Sequence, residues 1–336
     1  MSKLSHLLAL LASLAAIAPL PSRAGEAVPA IFALPADFYP ESMDAGPDGT
    51  LYIGSWHQGA IARLSPGQAV ATLFVPPGSN GLTNTQGVLV DAARQTLWAC
   101  SGNLGYTSVP RHPSALKAFD LASGAAKASY DLPGGGYCND LALGRDGRIY
   151  VTDSLHPRVL QLTDVAGQLQ PWAEDKRFCT GGTGFCLNGV TVDPAGTVYV
   201  STVDASADLF KISVGKKGEA GAAVPLHFPR VLKNADGLRF LAPDRLLVFE
   251  SNAFAKNDPL DGGVSLATLG PDGVARLETL VNGLADPSSG LAHGGRVYFM
   301  QSKYSILLRH PADDMSGVPG NVPFVIESVP LPASAP

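Results

Sequence analysis

Apolar and other residues alternate with period two through short runs along most of the chain, the spacing of half-buried strands rather than helices. The runs come in a repeating order. A small or polar residue opens an alternating strand, a tight turn follows, and a second strand closes on Ser or Thr. Asn139-Asp-Leu-Ala-Leu-Gly-Arg-Asp-Gly-Arg-Ile-Tyr-Val-Thr-Asp-Ser154 is one copy, and Asn188-Gly-Val-Thr-Val-Asp-Pro-Ala-Gly-Thr-Val-Tyr-Val-Ser-Thr202 is the next. Other copies begin at Glu41, Gln86, Asp236 and Ser289, and the closing hydroxyl residue falls at 55, 101, 154, 202, 251 and 302. Asp-Gly and Ala-Gly between the paired strands supply the positive φ of tight hairpin turns. A second hairpin follows each unit, as in Ala60–Leu64 and Arg158–Leu162. The pattern predicts four strands per repeat of about fifty residues, the signature of propeller blades. The expected fold is all-β, a six-bladed β-propeller with four antiparallel strands per blade. Residues around Ala30–Leu34 are expected to complete the last blade and close the ring. A β-sandwich accounts for the strands but not for the even repeat.

The first 24 residues stand outside this pattern. Lys3, the apolar run Leu7–Pro19 and the small residues flanking Arg23 predict a secretory signal peptide cleaved after Ala24. Residues 25–336 are then a single propeller domain, exported to the periplasm or secreted, with no membrane attachment after cleavage and expected to be monomeric. Export permits disulfides. Cys179 and Cys186 flank a Gly-rich loop that can bring their sulfurs together, which leaves Cys100 and Cys138 as the other candidate pair. The net charge of -5 offers no basic footprint, so nucleic acid is not an expected partner. No Gly-x-Ser-x-Gly string marks a serine hydrolase.

Chemistry enters where the repeats converge. The first strand of a blade lines the propeller axis, and four blades open on oxygen donors: Glu41, Asn139, Asn188 and Asp236. Ring closure aims these at one spot. Two carboxylates and two amide oxygens are hard ligands suited to a divalent cation, Ca²⁺ first, with Zn²⁺ or Mn²⁺ as alternatives. Taken singly, Asn and Asp at such positions more commonly serve turns. Their recurrence at equivalent repeat positions is what points to a site. Loops beyond the second strands ring the mouth and carry Trp56, His57, Asn103, Tyr106, Asp153 and His156. His57, Asn103, Tyr137 and His156 are candidate substrate contacts, and the two histidines are also candidate proton carriers.

At Pro40-Glu41, Asn139-Asp140, Leu187-Asn188-Gly189 and Ala235-Asp236-Gly237 the chain resembles the senescence-marker-protein/gluconolactonase/luciferin-regenerating-enzyme family, over nearly its whole length after the leader. The resemblance implies that Glu41, Asn139, Asn188 and Asp236 bind the metal, that Asp236 is also the general base, and that the substrate is a small molecule such as a lactone. Sugar lactonases of that family often carry Arg two residues before the first Asn. Tyr137 stands there in this chain. The blades also resemble NHL-type propellers, many of which only bind partners, so a non-catalytic exported module with a structural Ca²⁺ is the alternative.

Overall fold

The structure, a computed structural model, describes residues 31–163, 167–179, 184–204, 207–242, 244–253 and 260–333. The expected leader, residues 1–24, lies outside them, as does the centre of the Cys179–Cys186 loop.

Six four-stranded antiparallel sheets make up the fold. Their innermost strands are Pro40–Ala45, Asn84–Asp91, Cys138–Leu143, Leu187–Val192, Ala235–Ala242 and Gly290–His293. The first five blades are consecutive in sequence. The sixth takes its outermost strand from the other end of the chain: Phe32 pairs with Ile326 and Ala33 with Val325. Ring closure by the N-terminal segment is therefore as the sequence implied.

Local chemistry explains the repeat. The Asp-Gly turns at Asp48-Gly49 and Asp146-Gly147 place their glycines at φ 83° and 81°, where a side chain would be strained. The aspartate of each turn accepts from the backbone two residues on, Thr50 N (3.0 Å) and Arg148 N (3.1 Å). Alternating apolar residues then pack between neighbouring blades. Trp98, Leu116, Leu141, Val151 and Leu160 form one such layer, joining blades two and three. The core is thus divided among blade interfaces.

The innermost strands share a further feature. In blades one to five their register with the second strand shifts near the strand's start: between Pro40 and Met43, Thr85 and Val88, Cys138 and Leu141, Leu187 and Val190, and Ala235 and Leu238. Each is a bulge, which re-aims the residue it contains. The residues so turned are Glu41, Gln86, Asn139, Asn188 and Asp236. In blade six Gly290 pairs with Phe299 as Leu141 pairs with Val151. That register makes Ser288, not Ser289, the sixth counterpart.

Both expected disulfides form, Cys100–Cys138 and Cys179–Cys186. The first is fully buried and ties the second strand of blade two to the first strand of blade three across 38 residues of chain. Replacing Cys100 and Cys138 together by Ala is expected to lower stability by about 4 kcal/mol through the freed unfolded chain. Denaturant titration of the double variant checks this, and an unchanged midpoint would show the staple to be energetically idle.

Candidate functional site

The five turned residues and Ser288 meet at the axis, where some neighbouring strands approach so closely that the next residue can only be glycine. A Cβ on Gly189 would sit 2.1 Å from Asp236 O, and one on Gly237 would sit 2.7 Å from Ser288 O. Lateral hydrogen bonds lock the ring. Val190 N donates to Asp140 Oδ2 (3.1 Å) and Gly237 N to Ser288 O (2.7 Å), while the Ser288 hydroxyl donates to Glu41 O.

Two spaces flank this ring. Above it opens a cavity of about 440 Å³; below it is a pocket of about 10 Å³, room for about one water-sized occupant. The residues that line both are Glu41, Asn139, Asn188 and Asp236. The four side chains singled out from sequence are thus the partition between a substrate-sized cleft and an ion-sized pocket.

Each is oriented by a neighbour. Asn139 Nδ2 donates to Ser154 Oγ (2.8 Å), and that hydroxyl donates onward to Leu187 O (2.6 Å). The serine closing blade three therefore fixes the amide, and Asn139 Oδ1 is left buried with no hydrogen-bond partner. Gln86 satisfies its amide with the nitrogen toward Glu41 Oε1 (2.9 Å) and the oxygen accepting from Trp56 Nε1 (2.7 Å) and the Tyr137 hydroxyl. Asp236 receives hydrogen bonds from the Ser251 and Asn188 side chains.

Burial dominates the electrostatics. It lifts the Asp236 carboxyl to about 8, helped by the charges of Asp140 and Asp286 and opposed by the hydrogen bonds from Ser251 and Asn188. Glu41 is likewise held well above the usual carboxylate range, by burial first and then by Asp236 and Asp140. Below the ring one cation answers them. Arg239 reaches across the axis from blade five to Ser42 Oγ (3.2 Å), Ser289 Oγ (3.1 Å) and Asp140 Oδ2 (3.5 Å).

Of the four expected substrate contacts, Tyr137 lines the cavity; His57, Asn103 and His156 do not. The correction has a physical reason in each case. His57 is buried behind the wall: its Nδ1 donates to Tyr106 O (2.6 Å) and its ring packs edge-on to Tyr39. It holds the loop that presents Tyr106 to the cavity. His156 faces Asp153 (2.9 Å), a buried carboxylate that also accepts from Arg158 Nε (2.9 Å) and Tyr137 N (2.9 Å). That cluster anchors the Gly-rich approach to Asn139, since Arg158 also donates to Gly135 O (2.8 Å). The backbone carbonyl of Asn103 is bound by exposed Arg111.

Sequence reasoning missed the roof. The segment between the second and third strands of blade six, residues 303–324, carries a short helix, Tyr304–Leu307, and lends Tyr304, Leu308 and Ala312 to the cavity. It is tied to the blade-two loop by Ala312 O accepting from Tyr106 N (2.6 Å) and by the Arg111–Asp313 ion pair (2.6 Å). Asn234 was missed too. It lines the cavity with φ 46°, donates to Ser251 Oγ (2.7 Å), and has its Oδ1 buried without a partner. Its one sequence signal was its place two residues before Asp236.

The fold and this axial ring define a six-bladed propeller with a polar, acid-bearing centre under a roofed cleft. No protein-family model matches the chain, and no curated protein does. Among solved structures, a candidate gluconolactonase superposes with TM-score 0.62 at 17% identity, covering 92% of this chain and 94% of that one. A gluconolactonase from Xanthomonas campestris gives 0.59 at 16%, covering 86% of each. Virginiamycin B lyase from Staphylococcus aureus gives 0.54 at 11%, covering 89% of this chain and 99% of the lyase. At these identities the likeness shows the fold, in agreement with the family resemblance read from the sequence.

Because burial raises Asp236 and Glu41 above their unfolded values, folding takes up protons. Stability is full below the ordinary carboxylate range near 4 and is lost as pH rises through about 8. Chelator-treated protein is expected to lose a few kcal/mol between pH 5 and pH 8 in urea titrations, and Asp236→Asn to flatten that slope. Stability that rises over this range would contradict the assignment.

Proposed function

We propose that this protein is an exported, divalent-metal-dependent hydrolase that opens a lactone or a related ester. The observation that carries the reading is the partition. Glu41, Asn139, Asn188 and Asp236 stand together between an ion-sized pocket and an open cleft. The donor set fits a hard cation: two carboxylates and two amide oxygens, one of them, Asn139 Oδ1, buried with no partner. These four residues would hold the ion, with Ca²⁺ the first choice and Zn²⁺ or Mn²⁺ admissible. When bound it would supply positive charge to the carbonyl oxygen as negative charge develops there.

The chain's own groups do the rest. The cleft has room for one small molecule, and its aromatic wall would shield the scissile bond on that side. Asp236 takes a proton from the attacking water as the new carbon–oxygen bond forms. It returns that proton to the ring oxygen as the acyl–oxygen bond breaks, giving the hydroxy acid. With His57 buried behind the wall and His156 outside the cavity lining, Glu41 and Asp236 are the acids that face the cleft among the described residues, so the base role falls to this pair. The open cleft supports an enzyme over a module whose cation only pins blades together. Two disulfides, and the lack of a helix among the described residues long and apolar enough to span a membrane, are compatible with export.

A lactone panel assayed with Ca²⁺, Zn²⁺, Mn²⁺ and chelator tests this. Chelation is expected to abolish turnover, and Asp236→Asn to lower kcat/KM about 10³-fold. Asn139→Ala is expected to weaken metal affinity about 10- to 100-fold. Full hydrolysis by Asp236→Asn with metal still bound would overturn the proposal.

A further inference from the structure

The cleft is chemically divided by height. Its polar side chains belong to the floor, where the innermost strands begin. Above them the described wall is carbon: Leu104, Tyr106, Phe185, Val203, Tyr304 and Leu308. Trp56 stacks on Tyr106 (5.4 Å, 21°) and meets Tyr304 edge-on (5.1 Å, 68°), which makes one continuous aromatic surface. Apart from the Tyr106 hydroxyl, the side-chain polar atoms of these rings are already engaged with the ring of strand ends. Trp56 Nε1 and the Tyr137 hydroxyl bond to Gln86, and the Tyr304 hydroxyl bonds to Ser288 and Ser302. A ligand whose reacting carbonyl sits at the floor therefore lays the remainder of its structure against hydrocarbon.

We infer that the substrate's non-reacting part is an alkyl chain or flat aryl ring, so that the protein takes hydrophobic lactones or esters in preference to sugar lactones. The inference rests on the hydrolase reading above and narrows it. Each methylene moved from water onto an apolar wall favours binding about three- to four-fold. Each sugar hydroxyl buried there without a partner costs binding instead. Asn234 Oδ1 adds one unpaired acceptor beside the floor and the Tyr106 hydroxyl one polar group on the wall, enough for one or two contacts and not for a polyol.

The metal-supplemented protein is to be assayed with γ-butyrolactone, γ-octalactone, γ-dodecalactone, dihydrocoumarin and gluconolactone. In parallel, calorimetry measures binding of non-hydrolysable 2-pyrrolidinone and its hexyl derivative. The expected result is a kcat/KM that climbs with chain length, by about three-fold per methylene over the first few, and that is at least ten-fold higher for dihydrocoumarin than for gluconolactone. Leu308→Asn, a change at an exposed residue of the cavity lining, is expected to leave the fold intact and to lower the ratio of long- to short-chain kcat/KM about three-fold. An unchanged ratio counts against the inference. Gluconolactone turned over as well as the alkyl series overturns the substrate class and leaves hydrolysis standing. Absence of turnover with tighter binding of the hexyl lactam than of the parent sinks the hydrolase and retains the apolar ligand. Neither turnover nor binding overturns both.

Discussion

The structure depends on what happens when six strand ends are brought to one axis. Side chains from all six cannot fit there unless the backbone turns some residues inward and, where two strands come closest, keeps the next residue to glycine. Five bulges at matching registers do the first. The near contact of Gly189 with Asp236 O and of Gly237 with Ser288 O shows why the second is obligatory. Close packing at the axis and the convergence of functional groups are therefore one constraint. The strands cannot approach without aiming Glu41, Asn139, Asn188 and Asp236 at each other.

That convergence carries an electrostatic penalty. Glu41 and Asp236 are desolvated within the same ring, with Asp140 near both. Arg239 supplies a cation from below, bonded to three other blades, and offsets part of the repulsion. The polarity of the molecule follows. Arg239 crosses the axis on one side of the ring, and the substrate-sized cleft opens on the other. The closing Ser and Thr residues, which on sequence looked like punctuation, prove to be the groups that orient the ring: Ser154 sets the Asn139 amide and Ser251 bonds both Asn234 and Asp236.

Fold similarity alone would leave the activity open, because lyases and lactonases share the architecture at comparable overlap. What separates this chain from a bare scaffold is local: a buried, unpaired Asn139 oxygen in a residue set shared by a small internal pocket and a 440 Å³ cleft.

Strand periodicity, turn chemistry and the fifty-residue repeat are local properties, so the sequence by itself determined the propeller, the blade count, the N-terminal closure and the four converging donors. The Cys179–Cys186 pairing was also within its reach, while Cys100–Cys138 was only the pair left over. The tertiary structure alone decided which loop residues face the cleft. His57 and His156 follow the closing serines of their blades by the same interval as one another, yet both turn away, His57 to the Tyr106 carbonyl and His156 to buried Asp153. The roof from residues 303–324 and the orphan oxygen of Asn234 were equally beyond sequence. Strands repeat and so announce their own geometry; a loop takes its direction from whatever hydrogen-bond partner the finished ring happens to put beside it, and that partner can lie anywhere in the chain.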